Sequence, residues 1–119
     1  MIRREETIHR AIAAHLRLRL APPWLFWSTP NQRGTRKGWE QAILAALGVR
    51  PGMPDLFLAG EGRVIGVEVK APKGTLSPAQ KDTIAALAAA GIPTLIVRSV
   101  DEAEAALKAM GVPLRGKVL

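Results

Sequence analysis

The chain has no cysteine and no tyrosine, only two histidines (His9 and His15), and fewer acids than bases. Each shortage excludes something. Without cysteine there is no disulfide framework and no thiolate metal centre. The histidines lie six residues apart, a poor spacing for sharing a helix face, so a place at the helix edge is expected for both rather than a zinc site. No apolar run approaches the roughly 18 residues of a membrane span. The first residues are polar and charged, unlike the apolar region of a signal peptide, so an intracellular, cytoplasmic protein is expected. The shortage of acids, 10 against 17 Lys and Arg, leaves a net charge of +7 and a pI near 10.9. A small domain with that balance carries the electrostatic footprint of a polyanion binder.

What is present suits one domain over residues 1–119: 48% hydrophobic residues and a mean hydropathy of +0.10 can fill a modest core. Residues 2–20 read as an amphipathic helix with Ile8, Ile12 and Leu16 in a stripe. Glu5 projects onto that stripe and Glu6 falls off its edge. Glu5 is then either a first-turn acid favoured by the helix dipole or a carboxylate aimed at a site. Ala21-Pro22-Pro23 ends the helix, and Trp24 to Thr29 is strand-like, its aromatics read as core or sheet face, with base stacking as the alternative. Residues 30–38 form a basic loop in which Arg33, Arg36 and Lys37 are candidate phosphate contacts. A short helix is expected over Trp39–Leu47, with Ile43 and Leu47 on one face and Gly48 as its stop.

The stretch from Met53 to Gln80 holds the chemistry. Leu56-Phe57-Leu58 and Val64 to Val67 are short apolar runs joined by Gly60-Glu61-Gly62, the pattern of a hairpin. With a period of two, Glu68 and Lys70 share one face, about 7 Å apart along the strand, while Val67, Val69 and Ala71 share the other. If the hairpin brings Asp55 alongside, two carboxylates and an ammonium converge, and their repulsion calls for a divalent cation such as Mg²⁺. Lys73, in the loop after Lys70, is a further phosphate contact. Ser77-Pro78-x-Gln80 reads as a capping box opening a helix to about Ala90, with Ile84, Leu87 and Ala88 inward and Gly91 as its cap. Pro93 to Arg98 reads as a strand buried on both faces. Ser99-Val100-Asp101 caps a last helix over 102–110, and the tail 112–119 is expected to be loose.

Pro54-Asp55 followed by Glu68-x-Lys70 is similar to the PD-(D/E)xK nuclease signature. The longer string Gly52-Met53-Pro54-Asp55-Leu56, Glu68-Val69-Lys70, Gly74-Thr75-Leu76-Ser77-x-x-Gln80, then Gly91 and Val97-Arg98-Ser99, resembles the VRR-NUC branch of that superfamily over about residues 52–103. The resemblance implies an α/β fold, a mixed β-sheet flanked by helices with a restriction-endonuclease-like αβββαβ core. It implies a metal-dependent endonuclease acting on DNA, structure-specific for branched forms such as four-way junctions, and working as a homodimer. It further implies Asp55, Glu68 and the backbone carbonyl of Val69 as ligands of Mg²⁺ (with Mn²⁺ substituting), Lys70 as the catalytic amine, and Glu5 and Gln80 in the catalytic site. For Gln80 the capping box remains the competing account.

Two other readings stand beside it. One is a basic DNA-binding module with a vestigial site, whose binding would be salt-sensitive and indifferent to divalent metal. The other is a restriction-type enzyme reading sequence through its loops, since 119 residues leave no room for a separate recognition domain. Whether a partner protein directs the chain is left open by the sequence.

Overall fold

The structure, a computed structural model, describes residues 4–29 and 38–116. Along the chain run α1 (Arg4–Arg19), β1 (Leu25–Ser28), α2 (Gly38–Ala46), β2 (Leu56–Gly60), β3 (Arg63–Val69), α3 (Pro78–Ala89), β4 (Thr94–Val97) and α4 (Val100–Ala109). The strands form one sheet in the order β1-β2-β3-β4. The first three are antiparallel neighbours and β4 joins β3 in parallel, reached through α3 as the crossover helix. The expected mixed α/β sheet flanked by helices is the fold observed.

Local chemistry accounts for the elements. Glu61 and Gly62 both have positive φ, 52° and 75°, and close a two-residue turn between the paired Gly60 and Arg63. Such a turn matches the right-handed strand twist, so the Gly-x-Gly pattern sets the hairpin register. Leu56, Leu58, Ile65, Val67, Val69 and Val97 line one sheet face. Onto it pack Ile12 and Leu16 of α1 and Ala103 and Leu107 of α4. Phe57, Gly66, Glu68 and Lys70 alternate to the other face, where α3 sits, which makes the 68–70 pair a feature of the helix-covered side.

Four expectations are corrected. β4 is an edge strand; Val97 is buried, but Ile96 is 41% exposed, so only one face is sealed. Ala88 points to solvent, because α3 leans on the sheet side through Gln80 and Thr83, leaving Ile84 and Leu87 half-buried. The last helix begins at Val100, directly after its N-cap Ser99. The tail is not loose as far as it is described: Val112 is buried, Leu114 bridges Leu20, and Arg115 N donates to Arg19 O at 2.6 Å. That docking satisfies backbone groups just past α1 that would otherwise need water.

Among the described residues no helix is long and apolar enough to cross a membrane. His9 Nε2 lies against Ser28 Oγ and His15 Nε2 against Glu104 Oε1, both at 3.0 Å. Trp24 is core, donating its indole N–H to Glu61 at 2.9 Å. Trp27, stacked on Phe57, stays 42% exposed.

Candidate active site

Asp55 directly precedes β2, and its backbone is held from the β1 side. Thr29 N donates to Asp55 O at 2.9 Å, and the Thr29 hydroxyl donates to the Pro54 carbonyl. The Asp55 side chain turns the other way, where Oδ2 accepts the Val69 N–H at 2.8 Å. A strand residue sends its N–H and C=O out of the same edge, so the Val69 carbonyl leaves β3 on the edge that Asp55 occupies.

Glu68 and Lys70 stand on the α3 side of β3. Lys70 Nζ lies 3.6 Å from Glu68 Oε2, with the side chains 7% and 1% exposed. Lys70 N also donates to Val97 O at 3.0 Å, tying the residue to the end of β4. A buried ion pair of this kind is seldom the most stable filling for its volume; removing one partner typically costs about 3–5 kcal/mol because the other charge is stranded.

Gln80 reaches the same carboxylate. Its Nε2 donates to Glu68 Oε2 at 2.8 Å. Its Oε1 accepts from Ser77 N at 2.8 Å, while Gln80 N donates to Ser77 Oγ at 3.1 Å. The two accounts of Gln80, cap and site residue, therefore hold at once in one side chain. Gly52, with φ of 75°, presses the loop before Asp55 onto this helix start; a Cβ there would overlap the Ala79 carbonyl and come within 2.8 Å of Gln80 N. Thr83 completes the seam, donating to Pro51 O at 2.8 Å and accepting from Arg50 Nε at 3.0 Å.

Glu5 is half-buried on the first turn of α1. Its Oε2 sits 3.3 Å from where a Cβ on Gly74 would stand, so Glu5 reaches the turn that follows Lys70. Lys73 lies exposed on that turn. The structure thus brings Asp55, Val69, Glu68, Lys70 and Gln80 together and sets Glu5 and Lys73 at the adjoining turn. Arg33, Arg36 and Lys37 lie outside the described residues.

Three residues given no site role by sequence reasoning also build this region: Thr29, Thr83 and Arg98. Arg98 Nη1 donates to Ala71 O at 2.7 Å and to Gly74 O at 2.9 Å. Arg98 carried a signal, being a cation directly after an apolar run. The two threonines carried none.

The groups here that could hold a cation are oxygens alone: two buried carboxylates and a backbone carbonyl. Among the described residues no three His, Asp or Glu side chains gather as a closed cage would require. That arrangement fits a hard cation that keeps several waters and takes one or two carboxylates, and it disfavours zinc.

Comparison with known proteins bears on the fold and the family. A solved structure described as a VRR_NUC domain protein aligns with a TM-score of 0.62 at 20% identity, covering 92% of this chain and 88% of that one. At that identity the likeness is one of fold. No curated protein matches the sequence. The model of the VRR-NUC domain family matches residues 3–101, and the chain belongs to that family.

Proposed function

We propose that the protein is a Mg²⁺-dependent endonuclease that hydrolyses phosphodiester bonds in DNA. The observation that carries the reading is the burial of Asp55, Glu68 and Lys70 at one end of the two central strands, 3%, 1% and 5% exposed. Ionisable side chains are almost never so buried unless paired or used. The family is a nuclease-type one, and the net charge of +7 suits a polyanionic substrate.

Asp55, Glu68 and the Val69 carbonyl are the groups to hold the cation, which when bound would lower the pKa of water and neutralise charge on the phosphoryl oxygens. The chain's own residues do the rest. Lys70, tied to Glu68 and to the end of β4, offers a compact ammonium to the attacking water or the phosphoryl oxygens. Gln80 acts as a donor, because its oxygen is committed to the Ser77 N–H, and it fixes one face of the Glu68 carboxylate. Glu5 borders the turn beyond Lys70 and positions water there. Lys73 meets the backbone of the bound strand, and the same role is proposed for Arg33, Arg36 and Lys37.

Branched DNA and a homodimer complete the proposal. A domain of 119 residues has limited surface, and two copies related by a two-fold axis would give paired cuts on a two-fold junction. The test is cleavage of a panel of four-way, three-way, flap and linear DNAs with Mg²⁺. Asp55→Ala should abolish cutting while retaining binding. If no DNA is cut and Asp55→Ala binds as wild type does, the vestigial binding module is the better account.

A further inference from the structure

Arg98 closes one wall of the candidate site, and the nuclease reading has given it no task. The residues Ala71-Pro72-Lys73-Gly74 form a tight turn in which Gly74 N donates to Ala71 O at 2.9 Å. Proline at the second position and glycine at the fourth are the residues such a turn favours. The Arg98 guanidinium reaches across and gives both N–H groups of Nη1 to the ends of the turn, Ala71 O and Gly74 O. The arginine is itself anchored. Its backbone N–H donates to Glu102 Oε1 at 3.1 Å, and Glu102 N donates to Ser99 Oγ at 3.1 Å, so the start of α4 fixes where Arg98 begins.

Two carbonyls are neutral acceptors and a neutral amide could satisfy them. A guanidinium brings a full charge and five N–H donors, of which the turn uses the two on Nη1. Among the described residues no carboxylate lies within ion-pair distance of Arg98. The acids nearby are Glu68, held by Lys70 and Gln80, Glu102, which accepts from the Arg98 backbone, and Glu5, whose Oε2 borders Gly74. Lys70, which directly precedes the turn, is offset by Glu68, but Lys73 rides exposed on the turn itself, so two further cations, Arg98 and Lys73, meet around four residues. Like charges gathered at such range favour an arriving anion.

We propose that Arg98 is a phosphate-binding residue for the DNA strand, its guanidinium held by the two turn carbonyls so that Nε and Nη2 present a fork to a phosphate flanking the scissile one. Arginine suits this because its planar fork matches phosphate and is pre-organised when one nitrogen is already fixed. The inference rests on the nuclease reading for its ligand.

The experiment is binding of a fluorescent DNA duplex in metal-free buffer, with the affinity followed from 50 to 200 mM salt. For B-form DNA, each phosphate that a protein ceases to neutralise lowers the slope of log affinity against log salt by about 0.9. Arg98→Gln should shallow the slope by about that amount, and Arg98→Lys, which keeps the charge, should hold it. An unchanged slope in Arg98→Gln leaves Arg98 a mere clamp and overturns the proposal. Should that variant fail to fold, the NMR signal of Arg98 Nε–H in the wild-type protein decides instead: it shifts on adding the duplex if the proposal holds and stays put if it does not. Wild-type protein that binds no DNA sinks the nuclease reading as well, whereas wild-type binding and cutting beside an unaltered Arg98→Gln slope sinks this inference alone.

Discussion

The amide of Gln80 holds the carboxylate of Glu68 through its nitrogen, at 2.8 Å, while its oxygen accepts the Ser77 N–H at the same distance. An amide has one oxygen, so the capping bond decides which end faces Glu68 and makes the helix start an orienting device for a buried acid. Partners of ligating carboxylates typically matter by about 10–100-fold in metal affinity or activity. Gln80→Ala is therefore expected to cut cleavage by about that range, and Gln80→Glu to cut it further by placing an acid against Glu68. Ser77→Ala removes only the hydroxyl and should cost about 0.5–2 kcal/mol of stability, the usual worth of an N-cap. Denaturant melts and single-turnover rates on the three variants check this; Gln80→Glu cutting at the wild-type rate would refute it.

Gly52 predicts a coupled loss of stability and activity. Its positive φ and its contact with Ala79 leave a side chain nowhere to go. Gly52→Ala is expected to destabilise the fold by about 1–3 kcal/mol, the usual cost of a strained backbone position. Because the same contact seats α3 beside Asp55, Mg²⁺-supported cleavage should fall beyond what the unfolded fraction explains. Urea unfolding beside activity at full occupancy of the folded state separates the two. A variant as stable and active as wild type would show that the loop simply moves aside.

The parts of this site legible in the sequence were those governed by short-range rules. The turn at Glu61-Gly62 follows from a local φ requirement, the common face of Glu68 and Lys70 from the two-residue strand period, and the Ser77–Gln80 cap from spacing alone. What escaped depends on pairings between distant segments. Arg98 grips carbonyls twenty-four and twenty-seven residues back, and Arg115 docks ninety-six residues from Arg19. Ile96 shows the limit differently: its apolar run reads the same in a central strand as in the edge strand it occupies.

Metal binding should be visible without any substrate. A ligand that binds only the folded state raises its stability according to concentration over Kd. Mg²⁺ is therefore expected to raise the Tm of the wild-type protein, and Asp55→Asn or Glu68→Gln to abolish the rise. Both substitutions keep the volume and remove a charge. Chelation with EDTA should return the wild type to its metal-free Tm. A rise that persists unchanged in both variants would mean the ion sits elsewhere.

Glu104 gives the fold a pH dependence away from the site. Burial pushes its carboxyl up, but the His15 hydrogen bond and the charges of Arg19, Lys108 and His15 outweigh it, and the net shift is downward from 4.5. Its partners come from both helices that cover the core, His15 and Arg19 on α1 and Lys108 on α4. A lowered folded-state value means the stabilisation is present above the unfolded value of about 4.5 and is lost as pH falls through the folded one. Glu104→Gln should therefore lower the urea midpoint at pH 7, and the gap from wild type should narrow below about pH 4.5. A gap of constant size down to pH 3 would assign the effect to packing rather than charge.

Helix α2 bears on the proposed dimer. It has nine residues, none of them buried, and Trp39, Ile43 and Leu47 on and just past it are 61%, 52% and 75% exposed. An isolated helix shorter than about 12–15 residues is marginal in water, so an apolar face left bare on so short a helix needs a cover. A second copy of the chain is the proposed cover, which would also set two sites on one junction. Ile43→Asp and Leu47→Asp place charges on that face and are expected to yield a monomer by sedimentation, with the intramolecular core untouched and the Tm less concentration-dependent. On a four-way junction the monomer should make single nicks where the wild type makes paired cuts. Wild-type protein sedimenting as a monomer at micromolar concentration, or Leu47→Asp remaining a dimer, would move the interface off α2 and leave its apolar face for another partner.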